Sequence, residues 1–240
     1  MKLFLVLISI VSIAKADMAY DLLKASDKFR GSLEHGLTWR IEIETTEDGE
    51  TSKREFMVKA REVDAYVEAL SPAKNKGDIY LFNDRTMWFF KPSLKKPVSI
   101  SARQKLSGQA ANGDIASTNY ARDYAPKLEK TEVIGGEKFH VLMLKAKADN
   151  LTYDQIRYWI SDRTKQGIRA EFLTIQGKPF KRAELEYKNK VNLDGKTIDF
   201  VSQMTIVDAK FEKNKSIIKY FEPKSVNHPQ NLFNINNLNR

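Results

Sequence analysis

The sequence predicts a mainly β protein whose chain forms a long antiparallel meander of about ten or eleven strands. Apolar and polar residues alternate in many segments, turn-forming residues separate those segments, and only two or three short stretches have helical periodicity. Several strands carry their large apolar groups on one side, so the sheet has a continuous apolar face to bury. A sandwich, a closed barrel and a sheet curled around helices would each bury it.

The first sixteen residues have the pattern of a secretory signal peptide. Lys2 precedes an apolar run at 3–13, and "AKA" at 14–16 fits a small-x-small cleavage site. We expect cleavage after Ala16, which leaves 224 residues (240 − 16). The net charge falls from +9 to +7, because Lys2 and Lys15 are removed and no acidic residue is. The expected product is a soluble, exported protein, and without cysteine its stability depends on its core rather than on disulfides.

The residues up to 90 predict one helix and then paired strands. Residues 17–30 have apolar groups at spacings of four, three and four, which predicts an amphipathic helix that ends at Gly31. Residues 37–44 alternate and predict a strand, "EDGE" at 47–50 predicts a hairpin turn, and the return strand contains Phe56 and Val58. A third strand is expected within 61–70. Residues 77–90 predict another hairpin, whose second strand contains four successive apolar residues, so we expect it to be covered on both faces.

Residues 91–130 differ in character, because they are rich in Lys, Ser, Gly, Ala and Asn and have weak periodicity. Short helices are predicted near 100–106 and 117–124, and a segment of this length is expected to be functional or mobile. Strand patterns resume after 130, and residues 227–240 form a polar tail with a loose or short helical end. The later strands are predicted at 138–148, 156–162, 168–177, 181–191, 197–208 and 216–223.

The chain resembles the LolA/LolB-type periplasmic lipoprotein carriers. The resemblance depends on the leading helix, the one-sided strands and "NDRTMWFFKP", a turn followed by a Trp-aromatic-aromatic strand that Pro ends. The longer stretch "GDIYLFNDRTMWFFKPSLKKPVSISARQKLSG", with "NYARDYAPKLEKTE", is similar to the outer-membrane lipoprotein-sorting proteins. The resemblance implies a single domain over 17–226, an unclosed half-barrel of about eleven antiparallel strands with a helical lid on its concave side. The 91–130 segment would be a lid or insert that the shorter carriers lack.

The expected binding surface is the apolar face of the sheet, which the resemblance implies is an acyl-chain cavity. Trp88 and Phe90 alternate with Met87 and Phe89, and we expect Trp88 and Phe90 to face the cavity. The predicted lipid-binding residues are Trp39, Ile41, Ile43, Phe56, Val58, Tyr80, Phe82, Trp88, Phe90, Tyr158 and Ile160. For each of them, packing in an ordinary core is the alternative.

The positive charge is mostly scattered lysine, which is typical of a solvated surface, with some clustering at 91–105 and 178–190. The alternative is a docking patch for an anionic membrane or an acidic partner, for which the candidates are Lys95, Lys96, Arg103 and Lys105. A nucleic-acid partner is not expected, because no recognition motif is present.

The sequence predicts no catalytic site, no metal site and no cofactor. His35, His140 and His228 are far apart, and His140 is interpreted as a structural histidine in a strand. The leading hypothesis is a monomeric, non-enzymatic periplasmic carrier of acylated cargo, a lipoprotein or another envelope lipid. It would move cargo between an inner-membrane transporter and an outer-membrane acceptor. The alternative is a non-enzymatic accessory subunit of an envelope lipid transporter, with the same fold and a filled core.

Overall fold

The computed structural model describes residues 17–34, 36–83, 85–116, 119–193 and 195–238. The predicted signal peptide at 1–16 and His35 lie outside the described residues. The helices are α1 (17–28), α2 (Tyr120–Asp123) and four short 3-10 helices at Ala73–Asn75, Asn112–Ile115, Gln230–Phe233 and Ile235–Asn237. The strands are β1 (Leu37–Glu47), β2 (Glu50–Arg61), β3 (Asp64–Ser71), β4 (Ile79–Asn83), β5 (Thr86–Phe90), β6 (Val98–Ile100), β7 (Lys105–Ser107), β8 (Ala110–Ala111), β9 (Tyr124–Ile134), β10 (Glu137–Ala146), β11 (Gln155–Ser161), β12 (Gly167–Leu173), β13 (Pro179–Glu186), β14 (Asn189–Leu193), β15 (Lys196–Phe200), β16 (Gln203–Asp208) and β17 (Lys215–Ser225).

One antiparallel sheet of 13 strands dominates the fold, in the order β6-β5-β4-β3-β2-β1-β17-β16-β13-β12-β11-β10-β9. Its two edge strands, β6 and β9, do not pair with each other, so the sheet is an unclosed half-barrel. β17 lies beside β1 and brings the end of the chain back to the middle of the sheet. The predicted fold class, a mainly β half-barrel with a helical lid, is therefore confirmed, with two strands more than about eleven.

The tight turns follow directly from local sequence. Asp48 and Gly49 both have positive φ, at 51° and 87°, as the turn between β1 and β2 requires. Gly135 and Gly136, at 57° and 81°, make the same kind of turn between β9 and β10. Gly31, at φ 114°, follows the end of α1, where the sequence predicts the helix to end.

The main core lies on the concave side of the sheet. It combines the inward residues of the strands with Ala19, Leu22 and Leu23 of α1. The predicted apolar stripe of α1 is off by about one residue, because Met18 is 37% exposed while Ala19 is fully buried. The buried face of α1 continues through Ser26, Asp27 and Arg30, so it ends in polar groups.

Two predicted strands, 181–191 and 197–208, each break in the middle. Glu186 and Gln203 are the last paired residues of β13 and β16, and beyond them β14 and β15 form a separate hairpin. Val191 and Phe200 of this hairpin are buried in the concave core, and the Phe200 ring packs edge-on against Trp39, 5.5 Å between centroids. The hairpin therefore bends away from the sheet in order to bury its apolar side.

Residues 101–116 also enter the concave core, with Ala102, Ala110 and Ile115 buried there. The helix predicted near 100–106 is wrong, since Val98–Ile100 and Lys105–Ser107 are strands. The helix predicted near 117–124 is present in short form, as Tyr120–Asp123. We call α1 together with residues 101–116 and 119–123 the lid.

The C-terminal residues pack on the convex side of the sheet. Phe233 and Leu238 are buried there against Leu81 of β4, and Trp88 and Phe90 of β5 complete this second cluster. The two 3-10 helices in this stretch match the predicted short helical end. Both faces of β5 are therefore covered, one by the main core and the other by the end of the chain, which explains its four consecutive apolar residues.

Candidate functional site

The concave face gathers most of the predicted lipid-binding residues into one cluster. Each of them is at most 7% exposed, so in this structure they touch lid and hairpin rather than an open cavity. Whether they bind lipid remains a prediction. The residues that the structure brings together are Trp39, Ile41, Ile43, Phe56, Val58, Tyr80, Phe82, Tyr158 and Ile160.

Trp88 and Phe90 do not face the concave side, and the predicted orientation is wrong. Tyr80 pairs with Phe89, and Leu81 pairs with Trp88, so the side chains of Phe89 and Trp88 lie on opposite faces of the sheet. Phe89 packs against the main core, while Trp88 and Phe90 pack with Phe233 on the convex side. Alternation predicted that the two sets point in opposite directions, but not which set points inward.

A buried polar seam joins the lid to the sheet. The Asp27 carboxylate on α1 accepts a hydrogen bond from the backbone N–H of Ala121, at 2.7 Å. The Arg30 guanidinium lies over the Tyr120 ring, 4.2 Å from its centroid. Ser26 Oγ is 3.3 Å from the hydroxyl of Tyr158 on β11. These contacts place charged and hydroxyl groups where the sequence predicts hydrocarbon.

Burial controls the electrostatics of the seam. Loss of solvation raises the pKa of Asp27 to about 7, against the lowering effects of the Ala121 N–H and of the Arg30 charge. Burial also raises the pKa of Asp114, although the Tyr153 hydroxyl donates to its carboxylate, 2.9 Å from Oδ2. Both carboxyl groups are therefore costly to ionise in this packing.

Several polar atoms in and near the seam have no hydrogen-bond partner among the described residues: Asp27 Oδ1, Arg30 Nη1 and Trp39 Nε1. A buried polar atom without a partner costs about 1–3 kcal/mol. The lid therefore covers the apolar face at a local energetic cost.

Hydrogen bonds also attach residues 105–111 to the sheet. Thr45 Oγ1 on β1 is 3.0 Å from Ser107 Oγ and 3.1 Å from Ser216 Oγ on β17. Lys181 Nζ on β13 donates to the Gln109 carbonyl at 2.6 Å, and burial lowers the pKa of this lysine. This end of the lid is therefore held by polar contacts as well as by apolar packing.

A cleft of about 740 Å³ opens at the edge of the lid, between α1, α2 and the β14–β15 hairpin. None of the predicted lipid-binding residues lines it. Within the described part of the chain, Lys24, Lys28 and Lys196 on its rim have no ion pair. Its lining residues are Tyr20, Lys24, Asp27, Lys28, Ser32, Leu33, Glu34, Glu62, Val63, Asn119, Ala121, Arg122, Leu193, Lys196 and Ile198.

The predicted docking residues lie at the end of the sheet that contains the β1–β2 turn. Lys95 and Lys96 are exposed there, without an ion pair to any described residue. Arg103 pairs with Asp154 at 2.6 Å and Lys105 pairs with Glu47 at 2.6 Å, so both have acidic partners of their own. A docking role for the four residues stays a prediction.

The described histidines have structural partners. His140 Nε2 lies 2.8 Å from Asp162 Oδ1, and this contact with His140 is the main cause that lowers the pKa of Asp162 to about 2. His228 Nε2 lies 2.9 Å from Thr38 Oγ1 and 3.1 Å from the Leu37 carbonyl oxygen. In residues 17–238, apart from the gaps given above, no three acidic or histidine side chains are grouped to hold a metal, and no helix is long and apolar enough to cross a membrane.

Sequence reasoning did not identify the polar seam. The signal lies in "ASDKFR" at 25–30, where Ser26, Asp27 and Arg30 continue the helical face that begins with Ala19 and Leu23. Polar residues that continue an apolar face mark either the end of burial or a buried polar contact. Only the packing of α2 against α1 distinguishes the two.

Comparison with known proteins finds a matching family model and solved structures of similar fold. A family model described as "Uncharacterized protein" matches residues 61–240. A LolA superfamily protein from Nitrosomonas europaea is 27% identical, with a TM-score of 0.81, over 91% of this chain and 98% of that chain. No curated protein matches the chain.

Two further solved structures share the fold at 19% identity. An outer membrane lipoprotein-sorting protein domain from Vibrio parahaemolyticus has a TM-score of 0.77, over 94% of this chain and 100% of that chain. A DUF1329 family protein from Desulfovibrio piger has a TM-score of 0.76, over 93% and 99%. The chain belongs to the family described as "Uncharacterized protein", and its fold is that of the LolA superfamily and the lipoprotein-sorting domains, which confirms the resemblance found in its sequence.

Proposed function

We propose that this protein is a periplasmic carrier of acylated cargo, a lipoprotein or another envelope lipid, and that it is not an enzyme. One observation carries the proposal. The apolar concave face is covered by a lid that is not part of the sheet and that meets it through a buried polar seam with unpaired atoms. Such a cover is suited to exchange, because an acyl chain can replace its apolar contacts while its polar groups return to water.

The energies are compatible with exchange. Burial of each CH₂ group contributes about 0.8 kcal/mol, so a sixteen-carbon chain gains on the order of 10 kcal/mol when it is fully covered. Ionised Asp27 and the unpaired nitrogen of Arg30 regain hydration when the lid leaves. Displacement of the lid's apolar side chains opposes the gain, which leaves a net affinity that allows release.

The cleft at the lid edge supports a route for the cargo. Leu33, Leu193 and Ile198 give it an apolar lining, and its rim has three lysines without ion pairs to described residues. An amphipathic molecule with an anionic head matches this combination. The nine inward residues of the concave cluster would then receive the acyl chain after the lid moves.

The predicted signal peptide and the likeness to lipoprotein-sorting proteins support a periplasmic setting for the proposal. We propose transfer between an inner-membrane transporter and an outer-membrane acceptor, with Lys95, Lys96, Arg103 and Lys105 as docking residues. Because two of the four have acidic partners within the chain, Lys95 and Lys96 are the more available pair.

The alternative is an accessory subunit of an envelope lipid transporter that binds no acyl chain. The specific observation in its favour is the burial of the concave cluster: of the eleven predicted lipid-binding residues, the nine that lie in this cluster are each at most 7% exposed. In this reading the lid is a permanent part of the core.

A disulfide lock separates the two functions. Thr45→Cys with Ser107→Cys would tie the lid to β1, because the two hydroxyl oxygens are 3.0 Å apart. Thr45→Cys with Ser216→Cys is the matched control, because it joins two paired strands at a nearly equal distance of 3.1 Å. The chain has no cysteine of its own, so each pair would contain the sole thiols.

The measurement is uptake of a fluorescent fatty acid and of a lipopeptide, with and without reductant. We expect the oxidised lid lock to bind these probes at least about tenfold more weakly than its reduced form, because a lid that cannot move keeps the acyl chain away from the concave face. A tenfold change in affinity corresponds to about 1.4 kcal/mol of binding free energy. The oxidised control should bind like its reduced form. Equal uptake by the oxidised lid lock would exclude lid displacement. Absence of both uptake and co-extracted lipid in the parent chain would favour the accessory subunit.

A further inference from the structure

Two neighbouring hairpin tips hold large apolar side chains in water. Ile175 in the β12–β13 turn is 71% exposed, and Phe211 in the β16–β17 turn is 66% exposed. Soluble surfaces do expose single apolar residues, but several large apolar side chains exposed on neighbouring turns and surrounded by charge are typical of an interaction site. These side chains have no role in the lid or in the concave core.

The two tips lie side by side because β13 pairs with β16. Lys181 is opposite Asp208 in the ladder, and the Ala209 N–H donates to the Phe180 carbonyl at 3.0 Å just beyond it. Phe180 therefore lies between Ile175 and Phe211 along the same end of the sheet; it is 37% exposed, and its ring centroid is 6.2 Å from that of the core residue Tyr153. We call Ile175, Phe180 and Phe211 the tip patch.

Hydrogen bonds hold both turns in a defined conformation. Asp208 Oδ1 accepts hydrogen bonds from the backbone N–H groups of Lys210 and Phe211, at 2.8 and 2.9 Å. The N–H of Asn214 donates to the Phe211 carbonyl at 2.8 Å, and Gln155 Nε2 donates to the Ile175 carbonyl at 2.8 Å. The backbone thus fixes the direction in which the apolar side chains project.

Exposed lysines surround the tip patch. Lys178, Lys210, Lys213 and Lys215 are exposed and have no ion pair anywhere in the described chain. Among the acidic side chains at this end, Glu212 pairs with Arg182 at 2.8 Å, Asp208 accepts from the turn backbone, and Asp48 accepts from Asn214 Nδ2 at 3.4 Å. The tips therefore combine projecting hydrocarbon with net positive charge.

We propose that the tip patch docks on an anionic lipid membrane. Convex tips with projecting apolar side chains fit the boundary between head groups and acyl chains, and the lysines match the charge of anionic head groups. A protein partner would need a preformed recess that fits both convex tips, whereas the boundary region of a bilayer accommodates them without a preformed shape. The inference goes beyond the carrier function and does not depend on it, since it requires no bound cargo.

Docking at this end would also place the membrane beside the lid. Lys181, next to Phe180, donates to the carbonyl of Gln109, which belongs to the lid segment held by Thr45 and Ser216. A bilayer at the tip patch therefore lies near the end of the lid that enters the sheet.

The test is co-sedimentation of the chain from residue 17 with vesicles of 30% phosphatidylglycerol in phosphatidylcholine, with no cargo added. We expect binding to these vesicles and much weaker binding to pure phosphatidylcholine. Phe211→Ser should lower the partition coefficient roughly 10-fold, and the Ile175→Ser/Phe211→Ser pair roughly 100-fold, as expected for loss of apolar burial. Replacement of Lys178, Lys210 and Lys213 by Gln should weaken both the binding and its dependence on salt.

Val133→Ser is the matched control. Val133 is 68% exposed, and it lies next to the β9–β10 turn at the opposite end of the sheet. This variant should bind vesicles like the parent chain. The proposal is overturned if the parent chain ignores anionic vesicles, if the double serine variant binds as well as the parent, or if Val133→Ser loses as much binding. Loss of a soluble protein partner by the double variant, with no vesicle binding by the parent, would also overturn it.

Discussion

Asp27 makes the stability of the fold depend on pH in a direction opposite to that of most surface carboxylates. Burial on α1 raises its folded-state pKa to about 7, while the ordinary value of 3.8 applies to the unfolded chain. Between these two values the folded protein holds a proton that the unfolded chain has released. The contribution of Asp27 to stability is therefore greatest below about pH 4, falls as the pH rises toward 7, and changes little above that.

The size of the effect follows from the two pKa values. The interval from 3.8 to about 7, at about 1.36 kcal/mol per pH unit, corresponds to a loss of about 4 kcal/mol, which we take as an upper bound. Asp27→Asn removes the ionisation and keeps an oxygen that accepts the Ala121 N–H. The variant should therefore lose less stability between pH 4.5 and 8 than the parent chain.

The assay is urea unfolding of both proteins at several values between pH 4.5 and 8. The free energy of unfolding of the parent minus that of Asp27→Asn should decrease by up to about 3 kcal/mol across this range, because only the interval from pH 4.5 to about 7 contributes, at about 1.36 kcal/mol per pH unit. Burial also raises the pKa of Asp114, but its contribution is present in both proteins and cancels in the difference. Asp21→Asn, exposed on the same helix, should give a curve parallel to the parent. A parent–Asp27→Asn difference that stays constant with pH would refute the reasoning.

Two other features give further predictions. Phe233→Ala should lower the free energy of unfolding by about 3–5 kcal/mol and shift tryptophan emission to the red, because Phe233 is 1% exposed and covers the side of the sheet that contains Trp88. Unchanged urea unfolding would show that the convex cluster is not a stabilising core. Gly36→Ala should cost more than Gly49→Ala, since both have positive φ but a Cβ at Gly36 would lie 2.7 Å from the Val226 carbonyl oxygen. We expect a difference of about 1–3 kcal/mol in unfolding, and equal costs would contradict the contact.

Local sequence was sufficient wherever short-range backbone preference decides the structure. The Asp48-Gly49 and Gly135-Gly136 turns have the positive φ angles that those residues favour, and α1 ends before Gly31. Alternation located the strands before residue 91 and most of those after 130, and it identified the inward sets of β1, β2 and β11. It missed β6, β7, β8 and most of β9, which lie in the weakly periodic stretch 91–130. The interrupted strands at 181–191 and 197–208 were missed, because the bend that creates β14 and β15 is driven by burial of Val191 and Phe200 in a distant core.

The sequence predicted the apolar residues of the candidate site, but not the buried polar groups that lie between the lid and the sheet. The apolar residues of the concave face are where alternation places them, whereas Asp27, Arg30 and Asp114 acquire their importance only from the elements that pack on them. The residue type alone does not show whether a carboxylate will be buried in the folded protein. Its pKa depends on solvent exclusion, which is a property of the assembled lid.

The sequence by itself determined a mainly β chain with one continuous apolar face, because alternation and turn chemistry act over a few residues. Only the tertiary structure decided what covers that face. It placed residues 101–116 inside the half-barrel, turned Trp88 and Phe90 outward under Phe233, and brought the Ile175 and Phe211 tips together. The physical reason is that each of these outcomes depends on contacts between segments far apart in the chain, where competing ways to bury apolar surface are settled by packing the whole molecule at once.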